Sequence, residues 1–204
     1  MNARTHAFRP AAAAALAALL LLAGCGKESS SAGSSTGAAS KAAAQPVSLE
    51  TIEKEGQGFT VGSPMSVRTV YVFFDAQCPH CAALWNAAKP LKSQAKFVWM
   101  PVRLLNDSSE AQGATILAAK DPIAAMDEHE ASLLAKKGGL TAGSGVDAQR
   151  AIVKKNTELF NRFQFASVPT VVGKHAQSGA MVVKEGGMPT AELAAFLGLQ
   201  APSQ

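Results

Sequence analysis

Three cysteines are all this 204-residue chain has, and no stretch of it is apolar for long enough to cross a bilayer. The longest apolar run, Ala11 to Ala23, is about 13 residues where a spanning helix needs about 20. Charge is sparse too: 17% of residues are charged and the formal balance is +4. Arg4 and Arg9 lie in the segment around the apolar run, so without them the balance falls to about +2. That leaves no basic surface that calls for a nucleic-acid partner. The Gly-rich stretch Lys137 to Gly145 lacks the GxxxxGK[ST] order and a preceding strand, so it reads as a surface loop and not a phosphate cradle.

What is present starts with a targeting pattern. Arg4 and Arg9 make a positive n-region, the apolar run has the length of a signal h-region, and Leu22-Ala23-Gly24-Cys25 follows. These residues look like a bacterial lipobox, with a signal over 1–24 and Cys25 lipidated after cleavage. Ordinary cleavage leaving a free Cys25 thiol is the plainer alternative; an unpaired thiol is a liability in an oxidising compartment. Residues 25–46, rich in Ser, Gly and Ala without apolar periodicity, read as a flexible tether. About 20 such residues reach roughly 25 Å. The expectation is a periplasmic lipoprotein held to the membrane by its anchor.

With Cys25 so used, only Cys78 and Cys81 remain. A bridge between them closes a tiny loop and adds little chain-entropy stability, so exchange chemistry explains it better than stapling does. Val67 to Phe74 is β-branched and aromatic and reads as a buried strand. Pro79 then opens a helix running to about Ala88. Lys96 to Val102 is a second strand, parallel to the first through a right-handed crossover. Three helical segments follow, Ser109 to Lys120, Pro122 to Lys137 and Val146 to Phe163. Strands at Val168 to Val172 and Met181 to Lys184 and a helix at Pro189 to Leu197 close the chain. Residues 47–62 give weaker signals: a turn or two of helix near Leu49 and Ile52, then a short strand over Gln57 to Val61. This order fits an α/β, thioredoxin-like fold over 47–204 with an inserted helical subdomain at about 106–165.

Cys78 follows a strand and opens a helix, where unpaired N–H groups and the helix dipole favour a thiolate. Cys81, one turn on, lies on the same face. Cys78 is therefore the expected nucleophile, ionised and accessible, and Cys81 the resolving thiol. A free thiol of pKa about 8.5 is only about 3% ionised at pH 7, and a dipole lowers the pKa by roughly one unit. His80, between the cysteines, is the expected further source of positive charge or a hydrogen bond. Asp75, at the strand end, is read two ways, as a proton relay or as a turn and cap residue. A zinc site needs ligands that the cysteine supply cannot furnish, and His129 and His175 stand isolated, so no metal is expected. A soft-metal module holding Cu(I) on Cys78, His80 and Cys81 is the alternative function.

VYVFFDAQCPHCAALW, ILAAKDP and VPTVV together resemble the periplasmic DsbC/DsbG thiol–disulfide interchange family from about Arg68 to Leu197. The resemblance implies a redox-active Cys78-Pro79-His80-Cys81 and a cis proline at Pro169, with Val168 and Pro169 presenting a backbone edge to substrate. It also implies cysteine-containing envelope proteins as substrates, a membrane redox partner and no dissociable cofactor. The N-terminal dimerisation domain of the family's isomerases has no room here, so a monomer is expected. His80 and Val168 resemble the residues of DsbA oxidases at these positions, while the body of the chain resembles DsbC/DsbG.

Overall fold

The computed structural model describes residues 45–202. The leader, Cys25 and nearly all of the expected tether lie outside the described residues. Gln45, assigned to the tether on sequence, donates its backbone N–H to the Arg162 carbonyl at 3.1 Å.

The chain runs α1 (Leu49–Glu55), β1 (Phe59–Gly62), β2 (Thr69–Asp75), α2 (Pro79–Ala88), a 3₁₀ turn (Lys89–Leu91) and β3 (Lys96–Val102). Then come α3 (Asp107–Ala118), α4 (Pro122–Leu134), α5 (Asp147–Arg162), β4 (Thr170–Lys174), β5 (Met181–Glu185) and α6 (Thr190–Leu197). The five-stranded sheet has the order β1-β3-β2-β4-β5; β2 and β3 are parallel and the other pairings antiparallel.

β2 is the central strand and is apolar on both faces, as a covered sheet demands. Val70, Val72 and Phe74 point to a core shared with Leu84 and Trp85 of α2 and Leu193 and Leu197 of α6. Tyr71 and Phe73 point the other way, onto Leu159 and Phe160 of α5 and Ile52 of α1. This period-2 division makes three layers with the sheet in the middle. The inserted helices are therefore not a separate appendage: α5 covers one face of the sheet, while α4 packs on α2 over the other.

Of the boundaries that differ from the sequence reading, three have a plain local reason. β2 begins at Thr69, where pairing with Lys96 begins, and Val67 is 94% exposed. α4 stops at Leu134 and does not reach Lys137, because Lys136 adopts a left-handed φ of 58°. β4 begins at Thr170 and not at Val168, because Pro169 has no N–H to give the ladder.

Candidate active site

The end of β2 and the start of α2 meet at Cys78. Its backbone is extended (φ −97°, ψ 112°), it is the N-cap of α2, and Pro79 takes the first helical position. The Cys78 N–H donates to the Asp75 carbonyl at 3.0 Å, and the Cys78 carbonyl accepts the N–H of Cys81 at 2.9 Å. That turn aims the first free N–H groups of the helix at the Cys78 sulfur.

The two thiols are driven apart in acidity. Cys78 is lowered from 9.0 to about 6, first by a hydrogen bond from the Cys81 thiol. The backbone N–H groups of Cys81 and His80 lower it further, and the His80 charge adds the smallest share; burial opposes all of these. Sequence reasoning named the helix dipole and His80 as the sources of this acidity, yet the Cys81 thiol outweighs both. Cys81 itself is pushed well up, by burial first and then by the hydrogen bond and charge of Cys78. Cys78 is thus the acidic thiol of the pair and Cys81 the one held protonated. Cys78 is more enclosed than sequence suggested: 6% of its surface is exposed, while Cys81 is completely covered and Pro79 and His80 are open to solvent.

The cis Val168–Pro169 peptide lies against the motif, with the Cys78 thiol directed at the Val168 carbonyl across 3.6 Å. Glu185 of β5 holds that loop by accepting the N–H groups of Ala166 and Ser167 at 2.9 and 2.8 Å. A shallow apolar groove alongside is lined by His80, Ala83, Ala87, Gly187, Met188 and Pro189.

Asp75 is fully buried and its carboxylate is occupied by backbone donors. Oδ1 accepts Gln77 N–H at 2.8 Å; Oδ2 accepts Leu104 and Leu105 N–H at 2.8 and 3.0 Å. Of the two readings of Asp75, these contacts are those of a cap that ties the end of β2 to the loop after β3.

Sequence reasoning missed the support from the insertion. His129 of α4 donates Nε2–H to the Ala76 carbonyl at 2.6 Å and accepts Leu140 N–H at Nδ1 at 3.0 Å. Gln112 of α3 donates to the Gly138 and Leu140 carbonyls at 2.8 and 2.7 Å, and Gln77 donates to Gln112. The Gly-rich loop is therefore bound to the segment just before Cys78 and does not merely cover the surface. A Cβ at Gly139 (φ +85°) would meet His129 Cε1 at 2.4 Å. Glu130, also missed, is buried beside these groups and is treated below. Nothing in its sequence neighbourhood, AMDEHEAS, separates it from the exposed acids on the same helix.

Among the described residues no group of three His, Cys, Asp or Glu side chains is placed to hold a metal, so the copper reading of Cys78, His80 and Cys81 finds no support.

Comparison with solved structures identifies the architecture. Proteus mirabilis ScsC in a compact conformation superposes with a TM-score of 0.58 at 14% identity, over 78% of this chain and 81% of that one. The fold is thioredoxin-like. Pseudomonas aeruginosa DsbA2 superposes with a TM-score of 0.55 at 18% identity, over 68% of this chain and 91% of that one. No family model matches the sequence. By sequence, the chain is similar to the thiol:disulfide interchange protein DsbG of Pseudomonas aeruginosa, 30% identical over 161 residues. That match covers 75% of this chain and 60% of the relative's length. The DsbG of Escherichia coli is 38% identical over 65 residues, 31% of this chain and 26% of that protein. This thioredoxin-like chain is thus DsbG-like in sequence and carries its cysteine pair where the fold brings it beside a cis proline.

Proposed function

We propose that this protein is a thiol–disulfide oxidoreductase acting on cysteines of other proteins, with Cys78 attacking and Cys81 resolving. The observation that carries this reading is the acidic Cys78 thiol at the head of α2, hydrogen-bonded by a Cys81 held protonated and facing the cis-proline loop. The Cys78 thiolate attacks one sulfur of a substrate disulfide, the substrate bond breaks, and the distal substrate sulfur leaves as a thiolate. Cys81 then attacks the Cys78 sulfur, releasing the second substrate thiolate and closing the Cys78–Cys81 disulfide. Run backwards, the same steps oxidise a substrate dithiol.

Val168 and Pro169 supply the backbone edge against which an extended substrate strand would lie, and the groove from His80 to Met188 receives its apolar side chains. The lipobox-like leader and Cys25 support action in the periplasm from a lipid anchor, on a tether over 25–46, as a monomer served by a membrane redox partner. The test is turnover of a disulfide-containing peptide together with equilibrium titration against glutathione. The reading holds if exchange occurs and vanishes in Cys78→Ser. A chain that exchanges nothing in either direction would overturn it.

A further inference from the structure

The end of the sheet opposite Cys78 has a surface of its own. β2 starts there at Thr69, paired with Lys96, and β4 finishes beside it, with Gly173 against Val70 and Lys174 following. The seven residues of β2 put this end about 20 Å from Asp75 at 3.3 Å per residue. Segments 62–69, 91–96, 174–181 and 197–202 meet here. Ser63 N–H donates to the Lys92 carbonyl at 3.0 Å, Lys96 N–H to the Arg68 carbonyl at 2.8 Å and Ala176 N–H to the Leu197 carbonyl at 2.8 Å. Together these segments hold Arg68, Lys92, Lys96 and Lys174 and contain no Asp or Glu. Among the described residues none of the four cations is ion-paired. Two acids come near from elsewhere. Glu53 of α1 shares a hollow with Arg68 and Lys174, and Asp127 of α4 reaches Lys92 electrostatically but is paired with Lys89. The surface stays positive.

The loop between β1 and β2 crowns this end, with Met65 89% and Val67 94% exposed. Ser66 fastens it: its N–H donates to the Ser63 carbonyl at 3.0 Å, its hydroxyl donates to the Gln94 carbonyl at 3.4 Å and accepts Arg68 N–H at 3.2 Å. Open hollows lie on either side, and Val67, Arg68 and Ala176 line both. A single exposed apolar side chain is ordinary. A pair held out on a fastened loop, inside a ring of unpaired cations, is what an anionic bilayer receives: apolar tips for the interface and charges for the phosphates. The path of the chain points to the same occupant. Leu49 lines a hollow with Val67 and Arg68, and Gln45 precedes Leu49 by four residues. The chain therefore departs toward Cys25 within about 14 Å of Leu49.

We infer that this end of the domain seats on anionic phospholipid, with Met65 and Val67 entering the interface and Arg68, Lys92, Lys96 and Lys174 meeting the headgroups. The inference rests on the anchored reading of Cys25 and the tether given above. Seated in this way, the domain turns Cys78 away from the bilayer and toward soluble proteins. Release on a tether of roughly 25 Å lets Cys78 turn back to a partner in the membrane.

The full chain is purified from cells, and its mass shows whether Cys25 is acylated. It is placed on vesicles of phosphatidylcholine and phosphatidylglycerol with brominated acyl chains, which quench tryptophan on contact. Trp85 and Trp99 are buried, so a tryptophan introduced at the surface carries the signal. Met65→Trp should be quenched on vesicles containing phosphatidylglycerol, and Leu105→Trp, at the Cys78 end, should not. Adding Arg68→Gln, Lys96→Gln and Lys174→Gln to Met65→Trp should lower the seated-to-free ratio by about 10²-fold, about fivefold for each cation. No quenching at position 65, equal quenching at both positions, or quenching unmoved by the three Gln substitutions overturns the inference. A chain that self-associates through this end without touching lipid assigns the surface to a second copy and overturns it too. An unacylated Cys25 overturns the anchored reading alone, and the same quenching on added vesicles then decides the surface by itself.

Discussion

At the scale of single residues, the Cys78 sulfur sets the chemistry. With a pKa of about 6 it is roughly nine-tenths thiolate at pH 7, against about one-hundredth for a thiol at 9.0. Its alkylation rate should therefore rise through pH 6 and level off above pH 7. A midpoint above pH 8 would show that Cys81 and the helix N–H groups do not act on it. Asp75 is a structural counterpart. Removing its carboxylate strands the N–H groups of Gln77, Leu104 and Leu105, so Asp75→Ala should cost on the order of 3 kcal/mol in urea unfolding. A loss under about 1 kcal/mol would mean that water replaces the carboxylate.

At the scale of elements, α4 carries two buried titratable groups with opposite signs. His129 is lowered by burial, so its folded value lies below its unfolded one. The stability it contributes is present above about pH 6.5 and is lost as the pH falls through the folded value. Glu130 is raised, so its contribution is present below about pH 4.5 and is lost as the pH rises through about 8. Unfolding of the disulfide form, in which Cys78 has no charge, isolates the two. His129→Gln should flatten the stability profile below pH 6.5, and Glu130→Gln should flatten the fall that begins above about pH 4.5. Profiles that keep their slopes in these variants would place the titration elsewhere.

At the scale of the whole molecule, the same thiolate couples redox state to folding. Cys78 has a lowered folded pKa, so its contribution to the reduced form is full above about pH 9 and is lost as the pH falls through about 6. At pH 7 it amounts to about 1.4 kcal/mol, equivalent to about 30 mV toward a more oxidising disulfide. The reduced protein should resist urea better than the disulfide form at pH 7, by a margin that shrinks toward pH 5. A disulfide form that is the more stable at pH 7 would contradict an oxidising site.

The cysteine pair, its place between a buried strand and a Pro-initiated helix, and the β-α-β, helical block, β-β-α order were all legible in the chain. Each depends on neighbours along the sequence: β-branched runs, proline at a first turn, a two-residue cysteine spacing. Val168 and Pro169 came to the site only through the family resemblance, and the hydrogen bond from Cys81 that acidifies Cys78, the grip of His129 on Ala76 and the buried Glu130 were not legible. Val168 is 90 residues from Cys78 and His129 is 53 from Ala76. Local pattern specifies which elements form and which face each one buries. Acidity and hydrogen bonding depend on which groups from distant elements share a water-free space, and only folding fixes that.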